Sequence, residues 1–316
     1  MKSRLQNKVA GSELTLPVCA VVAAALWWLP ERAFSLSGGL GLLVCLLTTY
    51  IVMETNARLH IIRIRTRMMS CVWLVLVASL AFMHPIGKPI IASALLCFSY
   101  HLLFHCYQQH RPEANVFHAF LMLGLGSFCT PFMLLMAVPF FLYLVVFLRS
   151  LTRKAFWAGI LGLLVPYWCL AVWCFVTSDM QGFVECLTEM VQFEKPGVEA
   201  LVALPFSVQV SGAVIALLSI VGIVHYLRNN FNDKIRVRMM LYIYVSQTLL
   251  LMAFLLLQPA QYPTLLALLT ASASPLIAHY FSLTSSILSN IFFVLSLLLV
   301  AAMATLNLWM TSFSIY

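Results

Sequence analysis

Four residues of this chain combine types and positions suited to handling a phosphate: Glu31, Arg32, His84 and Lys88. A carboxylate or imidazole supplies a general base, and an arginine or lysine grips a phosphate through charge-assisted hydrogen bonds. Enzymes that use lipid-linked sugars bring such groups to a membrane face. In that reading Glu31 is the catalytic base, and Arg32, His84 and Lys88 bind the substrate. A second constellation is His101 with His105, a spacing of four that puts both imidazoles on one helix face and can hold a metal. Iron centres of membrane oxygenases need further paired histidines, and the eight histidines here provide none. The pair is therefore read as hydrogen bonding between helices, and neither a metal nor a cofactor is expected.

The elements that must position these groups are apolar runs: 14–30, 36–53, 68–83, 89–107, 116–130, 131–148, 155–177, 201–227, 239–257, 263–281 and 284–310. None of them contains Asp, Glu, Lys or Arg. A crossing needs roughly 20 apolar residues, fewer where neighbours bury the helix. The expected fold is all-α: a polytopic transmembrane bundle of about 11 spans forming one integral membrane domain over residues 1–316. No cleavable signal is evident, because the run 14–30 leads into Leu29-Pro30-Glu31-Arg32 without a small-residue cleavage site.

Threading the runs alternately from a cytoplasmic N-terminus places 15 of the 18 basic residues inside. Only Arg32, Lys88 and Lys195 fall outside, which is the asymmetry of the positive-inside rule. The net charge of +8 is thus topological. It would draw anionic lipid headgroups and excludes nucleic acid as a partner. Proton- or sodium-coupled carriers commonly hold a carboxylate near the midplane, and these runs offer none.

The largest outside segment, 178–200, is acidic. Phe183, Leu187, Met190 and Val191 recur at helical spacing, with Glu185 and Glu189 on the other face, which describes a periplasmic amphipathic helix. Glu185 and Glu189 are its candidate contacts for a membrane-protein partner. An internal repeat also appears. Ile64-Arg65-Thr66-Arg67-Met68-Met69 matches Ile235-Arg236-Val237-Arg238-Met239-Met240 at five of six positions. Each copy opens an outward span that ends in a Pro-x-x-x-Pro turn, and His105 and His279 each follow the second proline by 16 residues. A parallel duplication would produce this pattern.

Further motifs run through the chain: Asn56, Arg63-x-Arg65-Thr66, His84-Pro85, the Gly-rich 117–126, Pro166-Tyr167 and Pro275-Leu276-Ile277-Ala278-His279-Tyr280-Phe281. With these the chain resembles an uncharacterised family of inner-membrane proteins of Bacteroidota. More weakly, 116–168 and 263–281 are similar to the helical core of GT-C glycosyltransferases. That likeness implies a polyprenyl-phosphate-linked donor and a carboxylate in the first outside loop, where Glu31 is the positional counterpart. Three functions follow as expectations. One is an envelope-assembly protein that binds or transfers a polyprenyl-linked or lipid substrate at the periplasmic face. The others are a carrier or lipid flippase, and a non-catalytic partner of an envelope machine.

Overall fold

A computed structural model describes residues 4–29, 35–178, 180–191 and 201–313, and all regular structure among them is helical. Glu31 and Arg32 lie outside the described residues, as do the side chains of Cys186 and Glu189. The helices are α1 (Leu5–Gly11), α2 (Thr15–Trp28), α3 (Leu36–Leu59), α4 (Met68–Ala78), α5 (Lys88–Phe104), α6 (Glu113–Ser127) and α7 (Pro131–Leu135). They continue as α8 (Ala137–Val146), α9 (Arg153–Val176), α10 (Met180–Val191), α11 (Phe206–Asn229), α12 (Ile235–Leu257), α13 (Tyr262–Leu283) and α14 (Ile287–Phe313).

Six helices are individually long and apolar enough to cross a membrane: α3, α9, α11 (with its following 3-10 turn), α12, α13 (with its preceding 3-10 turn) and α14. The pair α1–α2 is bent by 95°, and α4, α5 and α7–α8 are shorter apolar helices. The sequence runs overstate helix length where proline-bearing turns consume their ends. The run 68–83 becomes an 11-residue helix followed by a 3-10 turn at Ala81–Met83.

The organising element is α13. Nearly every one of its residues is buried, enclosed by α4, α5, α11 and α12. Small side chains permit this, with Thr264, Thr270, Ala271, Ser272, Ala273 and Ser274 letting four neighbours approach closely. Its hydroxyls turn inward for partners: Thr270 donates to the Leu266 carbonyl at 2.8 Å, and Tyr100 on α5 meets Ser272 at 2.7 Å. Around this centre α2 packs on α4, α3 on α4 and α5, α6 on α5, and α14 on α11.

At the periphery α9 lies along α6 in the most extensive helix contact of the fold. Gly124 and Gly162 set its closeness. A Cβ at Gly162 would sit 2.3 Å from the Phe117 carbonyl oxygen, and one at Gly124 would sit 2.9 Å from that of Leu163. The glycines of 117–126 therefore serve helix packing, and α6 runs through Gly124 and Gly126 unbroken. Gly162→Leu should push the two backbones apart and destabilise the protein by about 1–3 kcal/mol. Thermal denaturation in detergent measures this, and an unchanged midpoint would contradict the packing.

The connectors gather at two ends. At one, Gln6 of α1 donates to the Phe281 carbonyl at 2.7 Å, Thr66 to that of Ala10 at 2.6 Å, and Gln108 N–H to that of Leu148 at 2.9 Å. With the connector 228–238, which Arg63 reaches at the Asn232 carbonyl, fourteen of the chain's basic residues belong to these segments, so this is the basic end. At the opposite end Trp27 Nε1 donates to Gly38 O at 2.9 Å and Ile86 N–H to Ser37 O at 3.1 Å. Trp27 is thus a core residue.

The repeat recurs locally but not in packing. Both copies are helix, 3-10 turn, then a helix with proline in its first turn. Yet α12 packs along α13, whereas α4 and α5 barely touch each other because α13 lies against both. The helices α4 and α12 also differ twofold in length, 11 against 23 residues. One rotation does not superpose such pairs.

Candidate functional site

Of the residues singled out at the opposite end, His84, Lys88 and Glu185 are described by the structure. Lys88 is exposed at the start of α5. His84 is buried, stacked on Trp27 with ring centroids 4.3 Å apart, and its Nε2 lies 3.0 Å from the Ala78 carbonyl. That contact fixes the turn after α4 and gives His84 a packing role. Glu185 is exposed on α10, where it accepts from Gln181 Nε2 at 3.3 Å.

A polar pocket of about 410 Å³ forms instead at the basic end, lined chiefly by Arg63, His225, Asn229, Asp233, His279 and Thr284–Ser286. Its floor is a carboxylate–imidazole pair. His279 Nε2–H donates to Asp233 Oδ2 at 3.1 Å, with both side chains almost fully buried. The Asp233 Oδ1 and His279 Nδ1 atoms are buried without a hydrogen-bond partner among the described residues.

Local sequence explains how each wall is held. The 3-10 turn Asn230–Asn232 ends α11 and leads to Asp233. Asn230 Nδ2 donates to Tyr242 Oη at 2.8 Å and Tyr226 Oη donates to the Arg238 carbonyl at 3.0 Å, which ties the turn to α12. The Tyr226 ring stands edge-on to His279 at 5.6 Å, and the His225 ring lies 6.0 Å from it. Asn229 Nδ2 donates to His225 Nδ1 at 3.1 Å, so the proton of a neutral His225 sits on Nε2.

Arg63 is presented by the turn after α3. His60 adopts a left-handed conformation there (φ 51°), which ends the helix. Asn56 then stitches the turn, accepting from Ile62 N–H and donating to the Thr66 carbonyl, both at 3.0 Å. Arg63 Nη1 reaches the Asn232 carbonyl at 3.4 Å from an exposed position. The pocket rim thus carries a guanidinium and hydroxyls, and its floor carries a carboxylate–imidazole pair.

This arrangement can bind an anion at the rim and move a proton at the floor. Sequence reasoning does not assemble it, because Asp233 and His279 stand 46 residues apart in different elements. The available signal was small: Asp233 is one of only four acids in the segments that alternate threading groups with the 15 basic residues. Comparison with known protein families, with curated proteins and with solved structures finds no match.

Proposed function

We propose that this chain is a polytopic inner-membrane protein that binds the phosphate-bearing headgroup of a membrane lipid or polyprenyl-linked substrate at its basic, cytoplasmic face. The observation that carries this reading is the pocket in which the buried Asp233–His279 pair meets Arg63 and the hydroxyls of Thr284, Ser285 and Ser286. A guanidinium pairs with phosphate oxygens, and a half-buried imidazole such as His225 adds a second donor. The rim stands at the ends of the apolar helices α3, α11 and α13, which on this reading puts it level with lipid headgroups. The part in envelope assembly and the bacterial inner membrane rest on the resemblance to the Bacteroidota family.

Eleven legs are proposed: α2, α3, α4, α5, α6, α7–α8, α9, α11, α12, α13 and α14. Alternate threading of these legs agrees with the gathering of basic connectors at one end, and the positive-inside rule makes that end cytoplasmic. A carrier is less well supported, because the centre of the bundle is filled by α13.

Orientation is tested with added cysteines against the parent background. Lys88→Cys should react with a membrane-impermeant maleimide in intact spheroplasts, and Asn232→Cys only after lysis. The reverse pattern would invert the topology. For the ligand, protein in nanodiscs should bind a polyprenyl phosphate or phosphatidic acid in preference to diacylglycerol. Equal affinity for all three would overturn the headgroup reading.

A further inference from the structure

A second polar cluster, separate from the pocket, lies where α5 meets α3 at the basic end. His101 and His105 stand one turn apart with ring centroids 4.6 Å apart. Both are half-buried. Their hydrogen bonds determine where each proton resides. Thr55 Oγ1 donates its single proton to the Ile51 carbonyl at 2.6 Å. In its 2.8 Å contact with His101 Nδ1 it must therefore accept, so a neutral His101 carries its proton on Nδ1. His105 Nδ1 lies 2.6 Å from the His101 carbonyl, which can only accept, so His105 carries its proton there too.

Both Nε2 atoms are left as lone pairs, and neither has a hydrogen-bond partner among the described residues. Metal-ligating histidines are held this way, with the far ring nitrogen donating to an oxygen that fixes tautomer and orientation. Two such nitrogens bound at roughly 2.0–2.1 Å to a tetrahedral metal lie about 3.3 Å apart, a separation within reach of rings this close. Glu54 and Arg58 of α3 are the charged groups acting on His101, and they form an ion pair with each other, which leaves little net charge to repel a cation.

We infer that His101 and His105 form a two-histidine site for a borderline divalent transition metal, of the Cu²⁺, Ni²⁺ or Zn²⁺ class. Imidazole nitrogens suit these ions and leave Mg²⁺ and Ca²⁺ to oxygen ligands. No group of three or more His, Cys, Asp or Glu residues is placed to hold a metal among the described residues. The remaining positions are therefore filled by water or by donor atoms of a bound molecule, and the site is open. Both Nε2 atoms already present lone pairs, so a metal can bind without displacing a proton from them.

The experiment uses full-length protein in detergent, with no polyhistidine tag, titrated with Cu²⁺ by calorimetry and electron paramagnetic resonance. The expected result is one tight equivalent with hyperfine coupling to two imidazole nitrogens. His101→Asn and His105→Asn should each weaken it at least tenfold, while Thr55→Val, which frees the His101 tautomer, should weaken it by a smaller factor. A His60→Asn/His110→Asn/His118→Asn triple variant should leave it unchanged. Circular dichroism checks that each variant is folded. Loss in the triple variant, retention in His101→Asn and His105→Asn, or signal from one nitrogen only would overturn the site.

Discussion

Replacing Asp233 by Leu should destabilise the protein by about 1–3 kcal/mol, the cost of leaving the buried His279 N–H without its acceptor. The carboxylate and His279 are both almost wholly buried and bonded to each other at 3.1 Å. Without Asp233, the Nε2–H of His279 loses its acceptor, with Nδ1 already unpartnered among the described residues. Asp233→Asn keeps an acceptor oxygen at the same place and should cost much less. The double variant Asp233→Leu/His279→Leu should recover most of the loss, because apolar groups of similar volume replace a buried polar pair at little cost. Unfolding in mixed detergent measures these three and the single variant His279→Leu. A double variant as unstable as the sum of the singles would mean the two residues do not act as a pair.

The second large effect is on binding. Arg63→Gln should lower affinity for a phosphate-bearing lipid by about 10- to 100-fold, the range expected on losing hydrogen bonds to a charged group of roughly 1.5–3 kcal/mol. Stability should barely change, because Arg63 is exposed and its one hydrogen bond among the described residues is long, 3.4 Å to the Asn232 carbonyl. Arg63→Lys should restore only part of the affinity, since an ammonium lacks the planar fork that meets two phosphate oxygens. Unchanged binding in Arg63→Gln would remove the guanidinium from the site. These are equilibrium measurements on reconstituted protein, with lipid composition held fixed.

The architecture was largely legible in the residues. Uncharged apolar runs with arginine-rich inside connectors signal helices, and the connectors holding Arg58–Arg67, Arg149–Lys154 and Arg228–Arg238 do gather at one end. The amphipathic pattern at 178–200 corresponds to α10, whose described part ends at Val191. Helix lengths were less legible, because hydropathy does not register the turns at Ala81–Met83 or around Pro131.

The repeat misled for a related reason. Arg-x-Arg-Met-Met and Pro-x-x-x-Pro encode how a helix starts and turns, and these local features do recur. What the helices pack against is decided by distant residues, and α13 takes a place that α5 does not.

The pocket was illegible because its parts are ordinary in isolation. Asp233 reads as one charge in a connector, Arg63 as one of many topological arginines, and His279 as a marker of the repeat. Only the fold brings the end of α11, the turn after α3 and the end of α13 together. Charge reasoning pointed to Arg32 and Lys88, which stand against the positive-inside bias, and gave no weight to Asp233, an acid buried beside the arginines.

The most direct test of a basic-end headgroup site is to map where a lipid binds. Protein in nanodiscs is exposed to a phosphate-bearing lipid with a photoreactive group beside its headgroup, irradiated, digested and sequenced by mass spectrometry. The account predicts labelling on 225–233 and 279–286, abolished by Arg63→Gln and unaffected by Arg32→Gln/Lys88→Gln. Labelling concentrated around 84–89 and removed by Arg32→Gln/Lys88→Gln would contradict it and return the working face to the other side of the membrane.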